Sequence, residues 1–196
     1  EGGFTYLFSK KPIRRMEDLS ERRVWVPEGD EITARMFENG NSQSVSLPVS
    51  DVFTSLQTGL IDTVTINPSG AIALQWHTGV NYQTDAPLLF LVGMLVIDQR
   101  AFEQIDAGDR EAVLEILRAS FERLDEITRT DNREALQALR DQGIELVEPE
   151  RPPSERRWHE VAEKTLDQLE REGKYDWSLL ERVRELVREY RARHGG

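Results

Sequence analysis

Between Arg23 and Trp76 the chain alternates short β-type runs with short amphipathic ones, and the connectors leave almost no slack. Arg23 to Val26 reads as a strand closed by Pro27, which has no N–H to give a ladder. Glu28-Gly29-Asp30 is a turn, and Asp30 is the candidate cap of a helix with Ile32, Met36 and Phe37 on one side. Asn39-Gly40-Asn41 ends that helix, and Ser44 to Leu47 is the next strand. Ser50 and Asp51 offer caps ahead of Val52, Phe53 and Leu56, the apolar stripe of a second helix, which Gly59 stops. Leu60, Ile61, Val64 and Ile66 suit a buried strand. Asn67-Pro68-Ser69-Gly70 then reads as a loop before a helix from Ala71 to Trp76, with Ile72, Leu74 and Trp76 apolar. Strands alternating with helices over such short connectors predict an α/β fold built on a mostly parallel sheet with flanking helices. In such sheets ligands gather at the carboxyl ends of the strands, and the Asn67 loop is one of those places.

On either side of this unit the reading is plainer. Phe4 to Phe8 alternates aromatic and other residues and predicts a strand. Ser9 to Met16 is a basic connector containing Lys10, Lys11, Arg14 and Arg15 around Pro12. Leu88 to Ile97, the longest apolar run, predicts a central buried strand. It is ten residues long, about half of the ~20 a membrane-spanning helix needs. Asp106 to Gln142 carries Val113, Ile116, Leu117, Phe121, Leu124 and Ile127 at helical spacing, with a capping break expected at Asp131 to Glu134. Gly143 ends that helix and Ile144 to Val147 is a brief strand. Pro149, Pro152 and Pro153 mark a connector to two charged helices expected to pack back on the fold.

Composition narrows function by exclusion. A net charge of −11 over 196 residues opposes a nucleic-acid or anionic-membrane partner, because phosphates would be repelled. With no cysteine, disulfides, thiolate metal sites and a cysteine nucleophile are ruled out together. No phosphate-binding glycine loop, G-x-S-x-G elbow or H-E-x-x-H pair is present. His77, His159 and His194 share no ligand spacing, and His77 suits a helix terminus. No catalytic residue, metal site or cofactor is therefore expected. Glu1-Gly2-Gly3 shows neither the basic nor the apolar region of a signal peptide.

Three segments carry a resemblance. Ser50-Asp51-Val52-Phe53-Thr54-Ser55-Leu56-Gln57 through Asp62 resembles the S-[ED]-V-[YF]-x-x-L-Q-x-x-x-x-D segment of the solute-binding subunits of TRAP transporters, the DctP family. Lys11-Pro12-Ile13, Glu17-Asp18-Leu19 and Arg23-Val24-Trp25-Val26-Pro27 are similar to the opening of that family's second lobe. Gly93 to Phe102 is similar to its strand-to-helix turn. The resemblance covers most of residues 5 to 145 and implies a type II periplasmic-binding-protein-like second lobe, with the first lobe lacking. It divides the chain into a hinge strand and connector (1–22), a solute-binding lobe (23–98), a long interlobe helix and short strand (99–148) and C-terminal helices (149–196).

The function implied is that of an extracytoplasmic, periplasmic subunit that binds a small organic solute in a cleft and delivers it to a membrane permease. The alternative is a receptor-like sensory or interaction domain without transport. In the family's organic-acid receptors an arginine on the strand before V-P pairs with the solute carboxylate, and another stands near the start of the opening strand. Here those places hold Trp25 and Thr5, so the usual carboxylate clamp is not expected. Trp25, either as a stacking surface or as a core residue, Asn67, the competing Thr65, and Thr5 are the candidate solute-binding positions.

Overall fold

The computed structural model describes residues 1–150, 154–173 and 175–194. Pro152 and Pro153 of the expected connector lie outside them. The strands are β1 (Gly3–Ser9), β2 (Arg23–Pro27), β3 (Gln43–Leu47), β4 (Thr63–Ile66), β5 (Tyr82–Thr84), β6 (Leu89–Leu91) and β7 (Glu145–Val147). The helices are α1 (Glu31–Asn39), α2 (Val49–Thr58), α3 (Pro68–Ala73), α4 (Gln99–Glu103), α5 (Ala107–Asp141), α6 (Ser154–Glu172) and α7 (Trp177–His194). Two 3-10 turns, Met16–Leu19 and Trp76–Gly79, complete the set.

The sheet runs β3-β2-β4-β1-β5-β7, with β6 pairing to β1 beside that path. The β-α-β-α-β segment from β2 to β4 forms the parallel part, β2 lying parallel to both β3 and β4. β5 and β7 are parallel too. β1 is the antiparallel member toward β4, β5 and β6, because it enters from outside the alternating unit.

Alternation along the strands loads both faces of the sheet, so the chain has two cores. On one face Phe8, Trp25, Val64 and Ile66 pack with Val52 and Leu56 of α2, Trp76 and Leu139 of α5. On the other, Leu7, Val24 and Val26 pack with Ile13, Met16, Leu19, Phe37 of α1 and Val161 of α6. The result is a helix–sheet–helix sandwich.

Local signals decide the element ends. Asp30 caps α1, its carboxylate accepting the Thr33 N–H at 3.0 Å. Gly59 takes the left-handed C-cap of α2 (φ +77°) and Gly143 follows α5 at φ +92°, conformations costly to a side chain.

Several expectations need correcting. The N-cap of α2 is Pro48, without a side-chain cap, and not Ser50 or Asp51. Pro48 is extended there (ψ 151°), and Val49 is the first helical residue. Asn67 to Gly70 is not a loop, since Asn67 caps α3 directly with Pro68 as the first helical residue. α5 has no break at Asp131 to Glu134 and runs 35 residues uninterrupted. Ile32 and Phe53 stand partly exposed rather than inside.

The largest correction concerns Leu88 to Ile97. Only Leu89–Leu91 forms a strand, at an edge, and Leu89 to Val92 and Met94 to Ile97 are 41–85% exposed. The segment is apolar enough for a core, but among the described residues β1 is its only strand partner. Of the two C-terminal helices, α6 packs through Val161, Thr165 and Leu169, whereas α7 buries no residue.

α5 divides the same way. Leu139 is fully buried while Ile116 is 65% exposed. Leu139→Ala is expected to cost about 2–5 kcal/mol in urea unfolding and Ile116→Ala to stay within about 0.5 kcal/mol. Equal costs would show that α5 is seated along its whole length.

Candidate functional site

The three parallel strands β2, β3 and β4 finish side by side, and their carboxyl ends lead into residues 27–30, 48–51 and 67–70. After β2, Asp30 N–H donates to the Pro27 carbonyl at 3.1 Å and Gly29 takes φ +83°, forming a tight turn. After β3, Asp51 N–H donates to the Pro48 carbonyl at 3.0 Å, and the Ser50 hydroxyl donates to the Asp51 carboxylate at 3.0 Å.

After β4, Asn67 does three things. Its Oδ1 accepts the Gly70 N–H at 3.1 Å, its Nδ2 donates to the Gly2 carbonyl at 2.7 Å, and Nδ2 also approaches the Ser69 hydroxyl at 3.4 Å. Gly70 is required there, because a Cβ would collide with Asn67 Oδ1 and sit 2.9 Å from the Ile66 side chain.

The four candidate positions divide between the two faces of the sheet. Thr65 lies directly opposite Leu7, and Thr5 is two residues along β1 from Leu7, so both share the α1 face. Thr5 is buried, its hydroxyl donating to the Leu89 carbonyl at 3.3 Å. Thr65 is half-buried, as is Asn67 at the end of the same strand.

Trp25 belongs to the opposite, α2-side cluster. It is 5% exposed, its Nε1–H donates to the Leu47 carbonyl at 2.9 Å, and its ring meets Trp76 edge to face at 4.9 Å. That indole fills the core and ties the ends of β2 and β3 together.

One polar residue escaped the sequence reading. Asn132, in the last third of α5, donates to the Gly2 carbonyl at 3.2 Å and accepts from both the Ser69 N–H (3.2 Å) and the Ser69 hydroxyl (3.0 Å). The Asp131–Glu134 cluster that suggests a capping break is in fact the place where α5 clasps the start of α3. An asparagine amid a helix's polar side carries no sequence mark of such a role.

Behind β1, on the α5 side, Phe4, Tyr6, Phe90, Pro68, Asn132 and Arg133 line much of a hollow of about 370 Å³. Phe4 and Phe90 meet edge to face at 4.9 Å. Burial pushes the Tyr6 phenol above its ordinary pKa, with a further push from Asp85, so it remains neutral at pH 7. Arg129, also on this hollow, is ion-paired with the Glu1 carboxylate.

Charge at the strand edge has one sign. Residues 27–30, 48–51 and 67–70 contain three carboxylates, Glu28, Asp30 and Asp51, and no lysine or arginine. What this edge offers a small molecule is backbone, amide and hydroxyl groups in a negative field. Among the described residues no group of three or more His, Asp or Glu is placed to hold a metal ion, and no helix is long and apolar enough to cross a membrane.

Asn67→Ala is expected to cost about 1–2 kcal/mol by chemical denaturation. Asn67→Ser, which keeps a cap acceptor but loses the tether to Gly2, should recover about half. An Asn67→Ala variant as stable as the parent would show that the cap does not hold this turn.

Comparison with known proteins places this geometry. The DctP family model, described as "Bacterial extracellular solute-binding protein, family 7", matches residues 1–172. A Salmonella typhimurium protein designated YiiZ is 27% identical over 161 residues, 78% of this chain and 46% of that protein. The C4-dicarboxylate-binding periplasmic protein DctP of Rhodobacter capsulatus is 22% identical over 173 residues, 86% of this chain and 50% of that one. A TRAP periplasmic solute-binding protein from Haemophilus influenzae with bound L-gulonate superposes with a TM-score of 0.85 at 20% identity, covering 94% of this chain and 60% of the other. The chain thus spans about half the length of the relatives it matches.

Proposed function

The chain belongs to the DctP family of bacterial extracellular solute-binding proteins, and from that premise we propose that it is the solute-binding lobe of a TRAP-type periplasmic receptor. The lobe holds one side of a small organic solute against the carboxyl edge of β2, β3 and β4. The rest of the receptor closes over the other side, and the solute passes to a membrane permease without chemical change. Hinge closure, with solute favouring the closed state, is the mechanism.

The exposed apolar surface supports this reading. Phe4, the segment from Leu89 to Ile97, and Ile116, Phe121, Leu124 and Ile127 of α5 form a large set of apolar side chains left open. Monomeric proteins rarely leave so much apolar surface uncovered. We take it as the seat of the remainder of the receptor, and β1 and β6 as the strands about which the lobes hinge.

The observation that carries the solute reading is that the three turns of this edge hold three carboxylates and no lysine or arginine, together with the packed indole of Trp25. An arginine supplies the bidentate fork that a carboxylate needs. With Trp25 and Thr5 in those places and three carboxylates nearby, a solute carboxylate facing this edge would meet like charge and find no guanidinium to pair with. The group that meets this lobe is therefore neutral or cationic, such as a hydroxylated end or an amine, and is contacted by Asn67, Thr65 and the backbone of the three turns. Thr5 and Trp25 act beneath it, one holding β6 to β1 and the other joining β2 to β3. A solute carboxylate would be met by the other lobe. A rival place for it among the described residues is the hollow behind β1, at Arg133.

Isothermal titration of the chain with polyols, amines and simple organic acids tests this. We expect measurable binding of a hydroxylated or amine compound, weakened at least tenfold in Thr65→Val and unchanged in Arg133→Gln. Tight binding of a simple dicarboxylate that Arg133→Gln abolishes would overturn the assignment and place the solute behind β1.

A further inference from the structure

The last helix has more apolar surface than this chain can use. α7 touches the rest of the structure along Trp177, Leu180 and Arg184, the half-buried positions of its length, and Arg184 reaches the Glu163 carboxylate of α6 at 3.3 Å. A second stripe faces away: Leu179, Val183, Leu186, Val187 and Tyr190 are 42–67% exposed. The apolar residues Val161 and Leu169 of α6 are already buried, Val161 in the cluster that includes Phe37 of α1.

The spacing of the outward stripe is that of a coiled-coil seam. Leu179, Val183, Leu186 and Tyr190 recur at steps of four, three and four, the alternation of the two core positions of a heptad. Arg182 and Glu189 flank the seam on one side, one heptad apart and opposite in charge. Leu180 and Val187 flank it on the other, one heptad apart and both apolar.

These positions are complementary to themselves in one arrangement. If two α7 helices lie antiparallel about a two-fold axis, Val183 faces Leu186 of the second copy and Leu179 faces its Tyr190. In the same register Arg182 meets Glu189 of the second copy, twice by symmetry, and Leu180 meets Val187. A parallel pairing in register sets the Arg182 and Glu189 flank against the apolar Leu180 and Val187 flank of the second copy and loses that agreement. We propose that α7 is a self-association helix and that the chain forms a two-fold dimer through an antiparallel α7 pair. A two-fold interface needs a surface complementary to itself, and both the apolar and the charged positions of α7 meet that condition in one register.

The ion pairs now formed within α7, Arg182 with Glu185 at 2.6 Å and Glu189 with Arg193 at 3.0 Å, are exposed and cheap to exchange. A single helix pair lies at the small end of stable interfaces, so the dimer is expected to dissociate in the micromolar range.

Sedimentation velocity of the full chain across micromolar concentrations reads this directly. The parent is expected to show a concentration-dependent monomer–dimer equilibrium, and Leu186→Glu to sediment as a monomer throughout with its helical circular dichroism retained. Arg182→Glu and Glu189→Arg should each weaken the dimer roughly fivefold, and the double reversal should restore it. A parent that stays monomeric over the whole range overturns the proposal. So does a dimer that survives Leu186→Glu, or a double reversal no tighter than the single ones.

Discussion

The pairing of β1 with β4 is the constraint on which the structure depends. Tyr6 to Ser9 lie opposite Ile66 to Thr63 in antiparallel register, and β1 meets β5 and β6 along its other edge. Side chains alternate along a strand, so a slip of one residue would send Phe8 toward α1 and Leu7 toward α5. Both cores would lose their central residue at once. The same register sets Thr5 and Thr65 on one face and Tyr6 on the other, which separates the face carrying the two threonines from the aromatic hollow behind β1.

The parallel part of the fold was legible because each of its elements is punctuated locally. Pro27, Asp30, Gly59 and Gly143 act on the backbone within a few residues of themselves, and the structure uses them as read. The segment from Leu88 to Ile97 was misread for a physical reason. Hydrophobicity in a sequence reports what a segment is able to bury, and says nothing about whether the chain contains a surface to bury it against. The exposed stripes of α5 and α7 have the same origin. Of the two charged helices, α6 is seated against α1 and buries Val161, Thr165 and Leu169, whereas α7 buries no residue.

The candidate site was legible only in outline. Asn67 at the end of β4 was visible, since an asparagine followed by proline marks a helix start or a turn. The clasp by Asn132 was not, because it depends on a contact 63 residues away with Ser69. Trp25 shows the limit most clearly: a tryptophan beside V-P reads equally as a stacking surface or as core. The tertiary contacts with Leu47 and Trp76 commit its ring to packing.

The proposed function asks for rigidity at the strand edge and uncovered apolar surface elsewhere, and this chain has both in different places. Its grip is a strand edge pinned by caps and by the Asn67–Gly2–Asn132 hydrogen bonds, and its unsatisfied surface is β6 and the first part of α5. The central claim is that the solute meets the carboxyl ends of β2, β3 and β4. The most direct measurement is a backbone amide NMR titration of the chain with a hydroxylated solute at millimolar concentration, where even weak binding by one lobe is seen. The account predicts shifts at Gly29, Asp30, Val49, Asn67 and Ser69. Shifts confined to Tyr6, Phe90 and Arg133, or to the surface of α6, would contradict it.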